Sequence, residues 1–480
     1  YEYDENGNTT KITYPDGSTE LSEYDSETND LLKHTDRLGL VTENTYEDGL
    51  LVKVTEGGFV TNSYSYYPEG TYEMEGLVKE ETDAHGNIKA YTYDTKGNVL
   101  TSNEIVDGED HITKNTYDDK GNLIKTVDPN GICTEYTYNA SGITLLTKVS
   151  DKNGENVQIT RNVHDALGRE IQVIEPAQYQ SAKDNIDADL YTDKTVGTYT
   201  TYNAKGQVEK VRDPLGNITR YAYDGDGNQI KEIKPNGTFY TYEHDREGRV
   251  TLERYHESES AVPVLLSENI YDENVNKVET KNFISNTMSG RTIKESDWEG
   301  NVVKETTQSG AVTVSVYEKG LLKKEYTNDG SFAKYSYDKW GRTLKKEENF
   351  NKKASGIDDI DNIYESENAV SLYEYDRFGN VTCESERNGY GKNSDRYKIT
   401  YHSYDSRDNE ILEKDDNGHC VQHYYSWDGK ILRDYKGMKL PLNIDGLDDV
   451  SSIGHMPYSV IKYEYDYTLI LWMWKIVYFK

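Results

Sequence analysis

Cysteine is almost missing from this chain. The three present, Cys133, Cys383 and Cys420, are odd in number, far apart and without a C-x-x-C pair, so neither a disulfide framework nor a zinc site is indicated. Phenylalanine is scarce, with 7 copies in 480 residues, and hydrophobic residues reach only 34%, below the about 45–50% of ordinary globular chains with glycine counted. Positive charge is in deficit too: 54 Lys and Arg face 86 Asp and Glu, for a formal net charge of −32. That balance disfavours nucleic acid or an anionic membrane as a partner. It fits a solvated face that resists edge-to-edge pairing and leaves a basic partner open.

Long apolar runs are lacking. The stretch 468–479 holds 12 residues and includes Lys475, against the roughly 20 that a bilayer-spanning helix needs. Catalytic signatures are lacking as well: there is no G-x-S-x-G elbow, P-loop or H-E-x-x-H, and the 10 histidines are scattered. Acidic doublets such as Asp118-Asp119, Asp358-Asp359, Asp415-Asp416 and Asp448-Asp449 could serve glycoside hydrolysis at a suitable separation. With 86 acidic residues, adjacent pairs arise without function. Asp224-Gly225-Asp226-Gly227-Asn228 imitates a calcium loop, but its twelfth position is Pro235 rather than a bidentate Glu. No cofactor, metal or active site is expected.

What the chain has is tyrosine, 43 copies, and glycine at a fixed cadence. Across 205–249 glycine recurs at Gly206, Gly216, Gly227, Gly237 and Gly248, at intervals of 10, 11, 10 and 11. A second run, Gly300, Gly310, Gly320, Gly330 and Gly341, is spaced 10, 10, 10 and 11. Such periodicity marks an internal repeat whose units stack on their neighbours. Each half-unit reads as one turn plus one strand. Asp or Asn accepts from backbone N–H groups two residues on, Gly supplies a positive φ, and the Tyr, Thr, Val and Ile between turns suit a pleated surface. Period-two geometry puts the two tyrosines of Tyr91-Thr92-Tyr93 on one face, and stacked units would align such pairs into a stripe. After the glycine the alternation slips: Val208 and Val211 have opposite parity, as do Ile230 and Ile233. Either a bulge or a strand covered on both faces would give this.

Tyr-x-Tyr-Asp-x-x-Gly-Asn, at a period of about 21, resembles the YD repeat of the rearrangement hotspot (RHS) family, which includes bacterial polymorphic toxins, toxin-complex cocoon subunits and the animal teneurins. The motif stands at Tyr91, Tyr93, Asp94, Gly97 and Asn98, and again at Tyr221, Tyr223, Asp224, Gly227 and Asn228. It recurs at Tyr335, Tyr337, Asp338 and Gly341, and at Tyr373, Tyr375, Asp376, Gly379 and Asn380. Degenerate copies fall between, for example at Tyr46, Tyr136, Tyr202, Tyr317 and Tyr404. These residues are read as structural. The resemblance implies an all-β fold of stacked antiparallel β-hairpins coiling into a hollow shell, a β-cocoon, or a segment of one. Residues 1–430 form the array, with polar insertions near 175–197, 255–267, 282–291, 350–368 and 386–397 placed as loops on its outside. Residues 431–480 are a degenerate or truncated repeat end with an apolar tail, and the chain is taken as a segment of something longer.

The function implied is that of a non-enzymatic scaffold, part of a shell around the C-terminal toxin of a secreted or cell-surface bacterial polymorphic toxin. Its partners are that toxin segment and the flanking repeats or caps. Family members often end in a core segment implicated in self-cleavage, but Ile444-Asp445-Gly446-Leu447 matches too little of it for autoproteolysis to be expected. The alternative is an adhesion or carbohydrate-binding module whose tyrosines stack on glycans. A hydrolase embedded in the repeats is a third class, without a constellation to support it. The face that carries the tyrosines separates the first two readings.

Overall fold

The computed structural model describes residues 1–71, 74–106, 108–180, 193–349, 352–365, 368–387, 397–438, 459–464 and 475–479. Among them run 38 short strands and two 3-10 helices, Glu273–Val275 and Asp359–Asn362. Contacts divide the chain into two units, one built from Tyr1–Ile112 with the strands from Thr313 onward, the other from Thr113–Val312. Within each unit, strands pair antiparallel with their neighbours in sequence, as Ile218–Tyr223 does with Val208–Arg212 on one side and Gln229–Ile233 on the other. Hairpin connections therefore alternate between two rows. One row holds the turns that follow Tyr-x-Tyr, here the YD row. The other holds the turns of the Asp213–Asn217 kind, here the return row.

The slipped alternation after each glycine is a β-bulge. Thr201 pairs Lys210 but Tyr202 pairs Val208, so Val208 and Glu209 together oppose one tyrosine. The same step separates Ala222 from Tyr223 and Ser336 from Tyr337. An extra residue sharpens the local right-handed twist and turns a carbonyl out of the ladder. The two sheet faces have different chemistry. One carries Tyr221, Glu232, Tyr240 and Tyr255 in cross-strand register, and the other carries Ala222, Lys231, Thr241 and Arg254.

Two insertions depart from the expected outer polar loops. The segment from 352 onward folds Ala354, Ile360 and Ile363 onto Phe332, with Ile360 fully buried. Residues 176–180 are helical and bury Tyr179 against Ile174, beside Leu146, Ile159 and Val196. Both small cores lie on the face opposite the tyrosines: Phe332 has the opposite parity to Tyr335, and Leu146 pairs Thr137, which sits between Tyr136 and Tyr138. Hydrophobic residues hidden among charged ones gave the apolar surface that packs them down. The segment 282–291 is a hairpin, with strands Lys277–Ile284 and Thr287–Ser296 joined by Ser285 and Asn286, both at positive φ. Asn tolerates that conformation, so the turn needs no glycine. Of 255–267, only 257–263 is loop, since strands run to His256 and resume at Val264. Most of 386–397 lies outside the described residues. Past residue 430, Ile431–Met438 pairs Ser459–Glu464, which pairs Lys475–Phe479, while the apolar stretch 468–474 lies outside the described residues.

Candidate functional site

The motif residues sequence reasoning singled out converge on two local devices. In the first, the Asp side chain closes its own turn. Asp94 Oδ1 accepts from the backbone N–H of Lys96 at 2.8 Å and of Asn98 at 2.9 Å, while Oδ2 accepts from Asn98 Nδ2 at 2.8 Å. Asp224 repeats the pattern with Asp226, Gly227 and Asn228, as does Asp376 with Phe378, Gly379 and Asn380. Gly97 stands at φ 82° and Gly227 at φ 103°, backbone that a Cβ would strain. Bonds from the Asn side chain, then from the backbone, hold the Asp94 and Asp224 carboxyls below the usual carboxylate range. Both Asp224 oxygens are thus committed within the turn, which accounts for its calcium-loop appearance without a cation.

Three copies carry Arg in place of Asn. Arg169, Arg249 and Arg342 donate Nε to the Oδ2 of Asp165, Asp245 and Asp338 at 2.8, 2.7 and 2.6 Å. Each guanidinium then lies over a tyrosine of the next unit: Tyr202 at 4.6 Å, Tyr271 at 4.3 Å and Tyr375 at 4.5 Å. An Arg fork can bond a carboxylate and stack on a ring at once.

The second device belongs to the tyrosine that ends the strand before a YD turn. Its hydroxyl donates to the backbone carbonyl just after the preceding YD turn: Tyr93 to Val78 at 2.7 Å, Tyr138 to Leu123 at 2.5 Å, Tyr223 to Val208 at 2.8 Å and Tyr337 to Leu322 at 2.6 Å. The bond survives insertions, since Tyr202 reaches Glu170 and Tyr375 reaches Thr343, each 32 residues back, at 2.8 Å. Paired rings keep one face, with centroids 6.4 Å apart for Tyr91 and Tyr93 and for Tyr335 and Tyr337. The rings are half-buried, and burial, helped by Glu232 and Glu253, pushes the Tyr242 phenol up to about 12.

Within the unit that contains both chain ends, a third feature brings together residues about 300 apart in sequence. YD-row turns after residue 313 sit on return-row turns before residue 112. The Lys319 N–H donates to Asp16 Oδ2 at 2.8 Å, Lys339 Nζ to the Gly57 carbonyl at 3.1 Å and Asn87 Nδ2 to the Ser406 carbonyl at 2.7 Å. Arg407 pairs with Glu104 at 2.9 Å. Aromatic tips wedge between these bonds: Phe378 stacks on His85 with centroids 3.5 Å apart, and Trp427 on His111 at 4.5 Å. Trp340 lies so close to Gly57 that a Cβ there would meet its Cζ2 at 2.9 Å. His85 Nε2 faces Asp408 Oδ1 at 3.1 Å, without the alignment of a hydrogen bond. Beside them lies a cavity of about 400 Å³ walled by Asp83, Glu104, Arg407 and Asp408 among others, a polar lining that suits water. Sequence reasoning missed this seam and the arginine variant. The signals were an aromatic residue between Asp and Gly of a turn, and Arg where Asn recurs.

The repeat geometry agrees with the comparisons. The RHS Repeat family model matches residues 117–155, 202–238 and 223–256. Those residues carry RHS repeats. The chain's RHS repeats are similar to the tRNA nuclease WapA of Bacillus subtilis (strain 168), 27% identical over 233 residues, which is 40% of this chain and 10% of that protein. They are also similar to the tRNA3(Ser)-specific nuclease WapA of Bacillus spizizenii, 28% identical with the same coverage. Among solved structures, the Photorhabdus luminescens Tc holotoxin pore with mutant TccC3 matches with a TM-score of 0.53 at 13% identity, over 95% of this chain and 25% of that one. That likeness concerns the fold, an antiparallel β-repeat architecture. A TcdB2–TccC3 crystal structure matches with a TM-score of 0.43 at 12% identity, over 96% of this chain and 31% of that one. The chain thus spans about a tenth of these curated relatives and a quarter of the holotoxin chain. Among the described residues no three His, Cys, Asp or Glu side chains are grouped to hold a metal ion, and no helix is long and apolar enough to cross a membrane.

Proposed function

We propose that the RHS repeats are a scaffold whose tyrosine face walls in a toxin segment of the same polypeptide, in a bacterial toxin that is secreted or displayed at the cell surface. The observation that carries this reading is the commitment of the motif itself. Asp, Asn or Arg, Gly and the second Tyr of each unit are consumed in closing a turn or bonding the preceding unit. Residues so spent serve rigidity, and the half-buried rings with engaged hydroxyls are poorly placed to stack on sugars. Both insertions that build small cores cover the opposite face, which leaves the tyrosine side for cargo. In this reading residues 1–430 act as one wall, 431–480 is its degenerate end, and the motif residues have a structural role only. The WapA relatives' named nuclease activity stays with those proteins, since a tenth of their length is matched.

Cysteine scanning tests it. With the three native cysteines replaced by Ser, Glu232→Cys reports the tyrosine face and Lys231→Cys the other. In the polypeptide that carries the repeats and the toxin together, a bulky maleimide polymer should label position 231 readily and position 232 slowly. Equal labelling at both positions would sink the proposal.

A further inference from the structure

The seam in the first unit uses one turn position repeatedly, a large apolar residue at one of the two central places between Asp (or Ser) and Gly: Trp340, Phe378 and Trp427. All three sit on the YD row and all three are seated, at Gly57, His85 and His111 of the return row. In the second unit large apolar residues at or beside turns stand in the open. On its YD row, Leu167 is 78% and Trp298 81% exposed, with Val275 at 57%. On its return row, Leu215 is 87%, Val262 81% and Ile284 69% exposed. Scattered surface hydrophobics need no explanation, but these line the two edges that the seam joins elsewhere in the chain.

We propose that these tips are an interaction surface for a second copy of the chain, with the YD row of one copy seated on the return row of the other. The same chain shows such an edge contact closed in one unit and exposes both halves of it in the other, so a copy supplies the complement that each row lacks. Because the two rows differ, the contact is head-to-tail rather than two-fold, and it leaves one free row at each end of the assembly. The seated examples define its chemistry: an aromatic or aliphatic wedge against a turn, flanked by Lys or Arg donors to carbonyls and carboxylates, as Lys339 and Arg407 are.

Sedimentation velocity on the 480-residue chain tests this. The expected result is concentration-dependent association up to about 0.1 mM, as befits a modest contact of turn tips. A YD-row variant, Leu167→Glu with Trp298→Glu, and a return-row variant, Leu215→Glu with Val262→Glu, should each be monomeric with an unchanged far-ultraviolet circular dichroism spectrum. Mixed together, they should form a one-to-one dimer and nothing larger, because one intact row remains on each partner. A wild-type chain that stays monomeric overturns the proposal and leaves the tips to other repeats of a longer polypeptide. Association that persists in the variants, or a mixture that fails to dimerise, also overturns it.

Discussion

The Tyr223 hydroxyl donates to the Val208 carbonyl across 2.8 Å, and Val208 is the residue at which its own hairpin bulges. Bulge and tyrosine explain each other. The bulge turns a carbonyl out of the ladder, and a buried carbonyl without a partner would cost stability. A tyrosine two residues beyond the strand centre of the next unit satisfies it, and so ties one unit to the next at a spacing of 15 residues.

Tyr223→Phe should therefore destabilise the fold by about 1 kcal/mol, the usual net worth of one such bond, while keeping the ring's packing. Tyr138→Phe should cost a similar amount, because its hydroxyl bonds Leu123 in the same way. The two effects should add, since the sites share no neighbour. Urea unfolding of the single and double variants measures both. A neutral Tyr223→Phe would mean that water replaces the hydroxyl.

Acid should loosen the array through its turns. The carboxyls of Asp94, Asp118 and Asp224 are held below their ordinary range, first by the Asn side chain and then by backbone bonds. A folded-state pKa below the unfolded value adds stability above the unfolded pKa and loses it as pH falls through the folded one. The melting temperature should thus be level from neutrality to about pH 5 and decline from about pH 4 downward. A melting temperature that stays level through that decline would show that the turns hold without charged carboxylates.

Arg342→Lys should cost about 1–2 kcal/mol despite conserving charge. The guanidinium bonds Asp338 through Nε, donates to the Asp376 carbonyl at 3.0 Å and covers the Tyr375 ring, and one ammonium cannot do all three. Arg342→Asn restores the commoner motif, so it should keep the turn closed and lose only the reach to the next unit. Chemical denaturation of both variants checks the order: Asn must not be worse than a variant that opens the turn, such as Asp338→Ala.

How much of this was written locally decides how much could be read. Turn and strand alternate visibly because Asp, Gly and Tyr act on residues within a few positions of themselves. The bulge stayed ambiguous, since Val208 and Val211 fit a two-sided strand equally well. The small core under Phe332 was hidden because Ile357, Ile360 and Ile363 are set among four aspartates and asparagines, which read as a loop. The hairpin turn at Ser285 and Asn286 carries no glycine to announce it. The seam is of another kind: no spacing within the sequence joins His85 to Phe378, and only the shape of the folded strands does.

Ile360→Ala checks the hidden core directly. The side chain is fully buried against Phe332, Ala354 and Ile363, so truncation should cost about 2–5 kcal/mol in the unit that contains it. A polar outer loop would tolerate the change with no shift in the denaturation midpoint.

Gly57 tests the seam without removing any of its bonds. Its φ of 59° lies in the left-handed region, so Gly57→Ala strains the backbone modestly wherever it is made. Its added Cβ would also approach Trp340 Cζ2 to 2.9 Å, with Lys339 Nζ at 3.0 Å. The ammonium can swing away, but the indole also carries the Arg342 guanidinium, 4.7 Å from its ring. Overpacking of this kind costs about 1–3 kcal/mol, and relieving it requires the two turn rows to part. Trp340→Ala removes the obstacle, so the alanine at position 57 should then cost only its backbone strain. A double-mutant cycle on the denaturation midpoint isolates that difference. Strong coupling shows that the rows bear on each other in solution; a coupling of zero would mean that Trp340 leaves Gly57 freely and that the seam is held by its other contacts.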